Sequence, residues 1–426
     1  MFAKLKQLFS PASKDLRKRI YFTLMCLGLS CLGSNVTIPW ASAVYQELGF
    51  LEIFNLMSGG GLKSFSIFAL GVSPYITASI ITQLLQMDII PYFKELKDEG
   101  YTGRQKINRI TRYLGILFAI IQAYILTIVY MKGMSSMDIL KTTIVMTAGT
   151  CFLLWIGDEV TNKGIGNGMS LLIMAGIIQS LPSMFVTAFQ GFVTSGTYTT
   201  LVGSLLFAAF VLIYIFIIVG VVFIQLAERR IPIQYSNRTN SAYGAQTSFL
   251  PIKLNSAGVM PVIFAMTLLA IPTTIVNLIG NENAINFVNN YIVSTSPTGF
   301  VLYILLIMFF GYFYTFMELN PEEMSKNLNK NGGYIPGVRP GVETTNYISN
   351  IIGKLTIVGS IFLVIIAGLP ILFSKFSGLP SSVTIGGTGL LIVVGVAIET
   401  YKQIESSLVS REYKRGRRRR WKISFS

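Results

Sequence analysis

Apolar runs of about 20 residues recur along this chain, the length that a bilayer core about 30 Å thick demands of one helix. Ten can be placed: Ile20–Ile38, Phe65–Met87, Tyr113–Met131, Ile139–Gly157, Met169–Phe189, Leu201–Ile224, Ala257–Ile279, Phe300–Met317, Leu355–Phe373 and Val383–Ile398. Only 12% of the 426 residues are charged, against about 25% in a soluble domain. Mean hydropathy is +0.60. The fold class read from this pattern is an all-α polytopic membrane protein. Histidine is absent, which removes the commonest general base and metal ligand. Cys26, Cys31 and Cys151 all sit inside apolar runs, so neither a disulfide framework nor a thiolate metal site is expected.

Basic residues set the orientation. With ten spans, both termini share one side with the loops after spans 2, 4, 6 and 8. Those segments hold 30 of the 34 Lys and Arg; the other side has Lys63, Lys132, Lys141 and Lys375. Both termini are therefore expected in the cytoplasm, and an odd number of spans would destroy the segregation. The N-terminus imitates a signal peptide, with basic Lys14–Arg19, an apolar run and Ala41-Ser-Ala43. The run is nearly a full span and nine more follow, so a retained first helix is expected.

The two halves look alike. Gly71-Val-Ser-Pro-Tyr-Ile-Thr-Ala78 in span 2 matches Gly258-Val-Met-Pro-Val-Ile-Phe-Ala265 in span 7. Gly168-Met-Ser-Leu-Leu-Ile173 echoes Gly387-Thr-Gly-Leu-Leu-Ile392 at spans 5 and 10. Both matches connect span n to span n+5, and five-span halves must run in opposite senses through the membrane. That is an inverted repeat, in which paired glycine- or proline-interrupted helices mark the functional site. The expected halves are 1–190 and 201–426. Pro74 and Pro261 are expected to break mid-membrane hydrogen bonds where the backbone lines a cavity, a packing kink being the plainer alternative.

Asp88, Asp158, Glu228, Glu318 and Glu399 all lie at cytoplasmic span ends, and the mid-membrane stretches hold no ionisable residue. That argues against proton coupling and against a charged ion filter, while leaving sodium sites built from backbone carbonyls open. No phosphate-binding G-x-x-x-x-G-K-[ST] loop is present. Gly164-Ile-Gly-Asn-Gly168 reads as a cytoplasmic turn rather than a dinucleotide loop. Two cytoplasmic loops carry more. Segment 225–253 holds Arg229, Arg230 and Arg238, further candidates for partner docking. Segment 318–354 holds Tyr334-Ile-Pro-Gly-Val-Arg-Pro-Gly341, where two Pro-Gly steps present Arg339 for partner docking. Enforcing topology and touching anionic lipid is the simpler role for such residues. The basic tail 405–426 reads as a headgroup anchor, with RNA contact as the lesser alternative.

Taken together these segments resemble the SecY family, the channel subunits of the bacterial protein-export translocon. The similarity runs over essentially the whole chain. It includes Phe54-Asn-Leu-Met-Ser-Gly-Gly-Gly61, Gln83-Leu-Leu85, Gly103-Arg-Gln-Lys106, Leu250-Pro-Ile-Lys-Leu-Asn255 and Tyr334–Gly341. The resemblance implies ten transmembrane helices in two inverted five-helix halves around a central pore, in a bacterial plasma membrane. It implies a passive protein-conducting channel, without catalytic residues or cofactors. The energy would come from the motor ATPase SecA or a ribosome, and small subunits SecE and SecG would attend. The cargo would be unfolded secretory and membrane-protein polypeptides with signal sequences.

By the same resemblance, the pore constriction is a ring of Ile76, Ile80, Met169, Ile173, Ile263 and Ile392. An apolar collar resists wetting and closes around any passing side chain. The internal repeat pairs Ile76 with Ile263 and Ile173 with Ile392, so two lines of reading converge. The family's plug, a short helix, is expected at about 58–65: Ser58, Gly59, Gly60, Gly61, Leu62 and Phe65. Each glycine costs such a helix about 1 kcal/mol relative to alanine. A lateral gate between spans 2 and 7 would be latched by Gln83, Gln122 and Asn255. One departure is that Thr239-Asn-Ser-Ala242 is shorter and less basic than the family's loop after Arg238. The rival reading is an inverted-repeat secondary transporter of a small solute, which predicts polar groups at the midplane; aliphatic residues stand there instead.

Overall fold

The computed structural model describes residues 14–41, 52–86, 90–131, 135–194, 199–235, 248–279, 281–293, 296–377 and 389–408. Each expected apolar run carries a helix. The first half contains α1 (Lys14–Ser34), the short α2 (Glu52–Met57), α3 (Ser73–Leu85) and α4 (Pro91–Asp98). It continues with α5 (Tyr101–Tyr130), α6 (Ser136–Lys163) and α7 (Gly168–Phe189), which runs into a π-helical turn at Gln190–Thr194. Then follow α8 (Thr200–Leu226), strands β1 (Glu228–Tyr235) and β2 (Ser248–Lys253), α9 (Met260–Ile279) and α10 (Glu282–Tyr291). The chain continues through α11 (Pro297–Glu318), α12 (Pro321–Lys330), strand β3 (Gly333–Tyr334), α13 (Val342–Ser377) and α14 (389–408).

Among the described residues, six stretches are long and apolar enough to cross a bilayer: Tyr101–Tyr130, Ser136–Lys163, Gly168–Thr194, Thr200–Leu226, Pro297–Lys330 and Val342–Phe373. Met260–Thr273 is a shorter apolar helix. The remaining expected spans fall on α1, α3 and α14. Several helices outrun the membrane: the 30 residues of α5 extend about 45 Å.

The chain forms two compact units, one up to Ala188 that also takes in the chain from Val396, the other from Phe189 to Gly395. In the first, α3 packs antiparallel on α5 and α5 on α6. Gly115 makes the first crossing tight, because a Cβ there would stand 3.3 Å from the Tyr75 Cα. Span counting groups the residues from 396 on with the C-terminal half, yet they belong to the first unit: Thr400 Oγ1 lies 3.3 Å from where a Cβ of Gly166 would be. In the second unit α9 packs on α11 and α11 on α13. Small residues permit these close approaches, as at Gly311 against Ser360 and Gly368 against Phe300.

Two loops of the second unit fold into one module outside the spans. Strands β2, β1 and β3 form an antiparallel sheet in that order. Ile231, Ile233 and Ile252 from the sheet share a core with Leu328 of α12, Ile335, and Ile348 and Ile352 at the start of α13. Asn320 caps α12, its Oδ1 accepting from the Glu322 and Glu323 amides at 3.0 and 3.4 Å, and Pro321 sits at the first helical position.

One buried polar atom in α11 is unsatisfied among the described residues. The Tyr303 side chain is fully buried and its hydroxyl has no hydrogen-bond partner. An unpaired hydroxyl in such a place costs about 1–3 kcal/mol. Tyr303→Phe is therefore expected to raise the thermal unfolding midpoint in detergent. A lowered midpoint would show that the hydroxyl is paired in the membrane-embedded protein.

Candidate functional site

The two repeat-related helices begin alike. Gly71 and Gly258 both take left-handed φ values, +56° and +62°. Three residues on, Pro74 and Pro261 stand in the first turns of α3 and α9. In a first turn the missing N–H has no intrahelical acceptor to lose, and proline's fixed φ favours helix initiation. This corrects the expected mid-helix break: the prolines start these helices rather than kink them. The apolar run of span 2 is split accordingly. Residues 58–72 form a chain of turns, and only the 13 residues of α3 are helical.

Ile76 and Ile80 follow directly, four apart on one face of α3, and both are buried. Met169 and Ile173 stand four apart at the start of α7. There Gly168 meets the backbone of Gly157, and the Met169 thioether lies over Gly157. Ile173, Ile263 on α9 and Ile392 on α14 are buried too. The expected ring thus draws Ile76, Ile80, Met169 and Ile173 from the first unit and Ile263 and Ile392 from the second.

The glycine-rich segment differs from expectation. The short helix is α2, upstream at Glu52–Met57, and residues 58–65 form turns. Gly59 and Gly60 have φ of +71° and +84°, backbone that a right-handed helix cannot use. The turns are tied internally. Asn55 Oδ1 accepts from the Lys63 amide at 3.1 Å, Asn55 O accepts from the Gly60 amide at 2.8 Å, and the Ser66 amide donates to Gly61 O at 2.9 Å. They are also tied to the stretch after α1, where the Ile38 amide donates to Phe65 O and the Ile67 amide to Val36 O, both at 3.0 Å. Phe65 has φ +44° and is the one non-glycine with positive φ among the described residues. That conformation costs roughly 1–2 kcal/mol. Its ring is held in a core with Ile38, Leu62, Ala119, Ala123 and Leu126.

This segment sits on α7 through a seat of three residues. A Cβ at Gly176 would stand 2.1 Å from Met57 O, so the two backbones touch. Ser180 Oγ lies 3.5 Å from Leu56 O. Gln179 Oε1 lies against Gly59 and accepts from Ser34 Oγ of α1 at 3.0 Å.

Of the residues named for a gate latch, two turn to local partners. Gln83 Nε2 donates to Ser79 Oγ at 3.3 Å, and its buried Oε1 has no partner among the described residues. Asn255 Nδ2 donates to Gly258 O at 2.9 Å, holding the turn that starts α9. Tyr75 lies beside Gly115, and Leu85 packs with Ile107. That antiparallel register separates Gln83 from Gln122 by about 22 Å along the pair, so the two cannot share a hydrogen bond.

The arginines divide similarly. Arg229 and Arg230 are adjacent in β1, so their side chains leave opposite faces of the sheet. Arg230 pairs with Glu228 at 2.8 Å. Arg339 is exposed on a braced turn between Gly337 and Gly341, with φ of +82° and +109°. Its carbonyl accepts from buried Thr344 Oγ1 at 2.8 Å, and Gly341 O accepts from Ser325 Oγ at 3.2 Å. Arg238 and the tail beyond 408 lie outside the described residues.

A family model described as SecY matches residues 66–401. The chain belongs to the SecY family. It is 44% identical over 414 residues to protein translocase subunit SecY of Bacillus subtilis, covering 94% of this chain and 96% of that one. The SecY subunit of Staphylococcus aureus is 44% identical over 421 residues with the same coverage. A solved structure of a protein-conducting channel superposes with a TM-score of 0.69 at 21% identity, covering 93% of each chain. Sec61 in the canine ribosome–channel complex superposes with a TM-score of 0.64 at 20% identity, again over 93% of each. These two show that the fold is shared. All six ring positions fall inside the SecY match, whereas 58–65 lies just ahead of it.

Sequence reading missed the seat of the turn segment in this SecY-family chain. Its signal was present: Gly176 and Gln179 stand three residues apart in a span without charged residues, followed directly by Ser180. Gly176→Val must displace Met57, whereas Gly28→Ala on α1 meets nothing within 4 Å. In vesicles containing the full chain, Gly176→Val is expected to raise resting ion leak several-fold and Gly28→Ala to leave it unchanged. Equal leak from both would show that the seat holds no seal.

Proposed function

We propose that this chain forms the apolar-collared conduit through which unfolded polypeptides cross a bacterial plasma membrane and from which apolar segments pass sideways into lipid. The observation that carries the reading is the ring itself. Its six aliphatic or thioether side chains stand on the four helices that the two repeats relate, in spans with no ionisable residue at mid-depth. Such a collar binds no particular solute, so it suits a cargo whose side chains change at every step. Met169 adds a flexible thioether that adapts to variable surfaces.

Both termini face the cytoplasm on the segregation of Lys and Arg. The chain does no covalent chemistry, and the driving force comes from SecA or a translating ribosome. SecE and SecG complete the membrane complex. Arg339, held out on a braced turn, is the docking contact for the cytoplasmic driver, and the basic tail meets anionic lipid. Segment 58–65 with Phe65 acts as the plug. Asn255 and Gln83 border the lateral gate, which gives way to an apolar signal helix.

The test threads a substrate. In a chain whose three native cysteines are replaced, Ile80→Cys or Ile392→Cys is combined with a secretory polypeptide stalled midway that carries one cysteine. Oxidation is expected to give mixed disulfides at both sites and none at Ile361→Cys, which is exposed on α13. Absence of ring cross-links from a membrane-engaged, stalled chain would return the isoleucines to ordinary packing and overturn the reading. In the same assay Arg339→Glu is expected to reduce transport at least tenfold with the thermal midpoint unchanged, because no acidic partner lies within salt-bridge distance of Arg339 among the described residues.

A further inference from the structure

Helix α10 joins the ends of two apolar helices, α9 and α11, and its surface has three faces. Ala284, Ile285, Val288 and Ile292 turn towards the protein, and Val288 is buried. Glu282, Asn283, Asn286, Asn289 and Asn290 form an exposed polar face. Between them on one side runs a stripe of Phe287 and Tyr291, 58% and 54% exposed. The two rings are four residues apart and pack together, with centroids 5.0 Å apart at 36°. Packing among the described residues leaves both side chains more than half exposed.

The helix is also fixed in height. Asn281 caps its start, its Oδ1 accepting from the Asn283 amide at 3.0 Å. At its end Thr298 Oγ1, in the first turn of α11, donates to Tyr291 O at 3.0 Å. A Cβ at Gly299 would stand 2.1 Å from Val293 O, so no side chain separates the two helices there. The apolar run of α11 begins at Phe300, so α10 is clamped at the level where that span meets its boundary. The two helices it joins also turn apolar side chains outward: Ile271, Ile275 and Ile279 on α9, and Val301 and Leu305 on α11.

We propose that α10 lies in the membrane–water interface, with Phe287 and Tyr291 embedded among lipid headgroups of the leaflet where α9 ends and α11 begins. The Tyr291 phenol favours that zone, its ring apolar and its hydroxyl wet, and the Phe287 ring packed beside it adds apolar surface to the same stripe. The attraction is aromatic rather than ionic, since no Lys or Arg occurs from Asn281 to Ser296. The helix then holds the end of α9 at a set depth through the clamp on α11. This inference depends only on the membrane-spanning reading of α11 and α9, not on what crosses the pore.

Nitroxide labels test it in the full chain with its native cysteines replaced, reconstituted in phosphatidylethanolamine–phosphatidylglycerol vesicles. Phe287→Cys and Tyr291→Cys labels are expected to collide with oxygen several-fold more, relative to the water-soluble reagent NiEDDA, than Asn286→Cys and Asn290→Cys labels. The contrast is expected to persist in pure phosphatidylcholine vesicles. The asparagine labels leave both rings in place, so they report the helix's orientation even where an aromatic substitution disturbs it. Three results would overturn the proposal: equal NiEDDA access on both faces, exclusion of both reagents at 287 and 291 by a covering protein surface, or loss of the contrast without anionic lipid.

Discussion

Hydrocarbon offers no hydrogen bonds, and that constraint governs where this chain can depart from a helix. Residues 65–72 do depart from it inside the apolar run of span 2, extending turns that begin at 58, and amides along these turns are paired instead with Asn55, Gly61 and the stretch after α1. The segment can exist in the membrane-embedded half because it makes these bonds and lies against protein on α5 and α7. Gly176 is part of the same solution, since the close approach of α7 leaves no room for a side chain at the contact. A helix through 58–65 would have satisfied the backbone more simply, but three consecutive glycines disfavour it by about 3 kcal/mol in all.

The balance within that segment suits an element that has two states. Burial of Phe65 and Leu62 favours the docked arrangement, each apolar side chain contributing about 1.5–3 kcal/mol. Against this stand the positive φ of Phe65 and the polar contacts at Ser34, Gln179 and Ser180, which water could replace on release. The net preference for the docked arrangement is a few kcal/mol.

Hydropathy made the membrane class and the positions of the helices legible, because the length of a span is set by the bilayer rather than by its neighbours. Helix starts were legible only in part. Pro74 and Pro261 were seen, but whether a proline breaks a helix or begins one depends on the backbone before it, here Gly71 and Gly258 with left-handed φ. The sheet module escaped notice because its alternation is brief: Ile231 and Ile233 in one strand, Ile252 in another, and their helical partners about 100 residues away. The Gln83–Gln122 latch failed for a similar reason. Both are polar residues in apolar spans, yet only the register of α3 on α5 reveals that they face different depths.

That module clarifies why two loops carry the exposed arginines. A basic residue that only enforced topology would need no support, since the positive-inside effect depends on charge and not on conformation. Arg339 has support at every step. Ile335 is buried beside the sheet, Gly337 and Gly341 supply the left-handed turns, and Thr344 and Ser325 hold the carbonyls of Arg339 and Gly341. Because Ile348 and Ile352 of α13 complete the same core, the turn is mechanically continuous with a helix that enters the membrane. A force applied at Arg339 is therefore transmitted to α13 through packed side chains rather than absorbed in a loose loop, and packed cores of this kind shift as units.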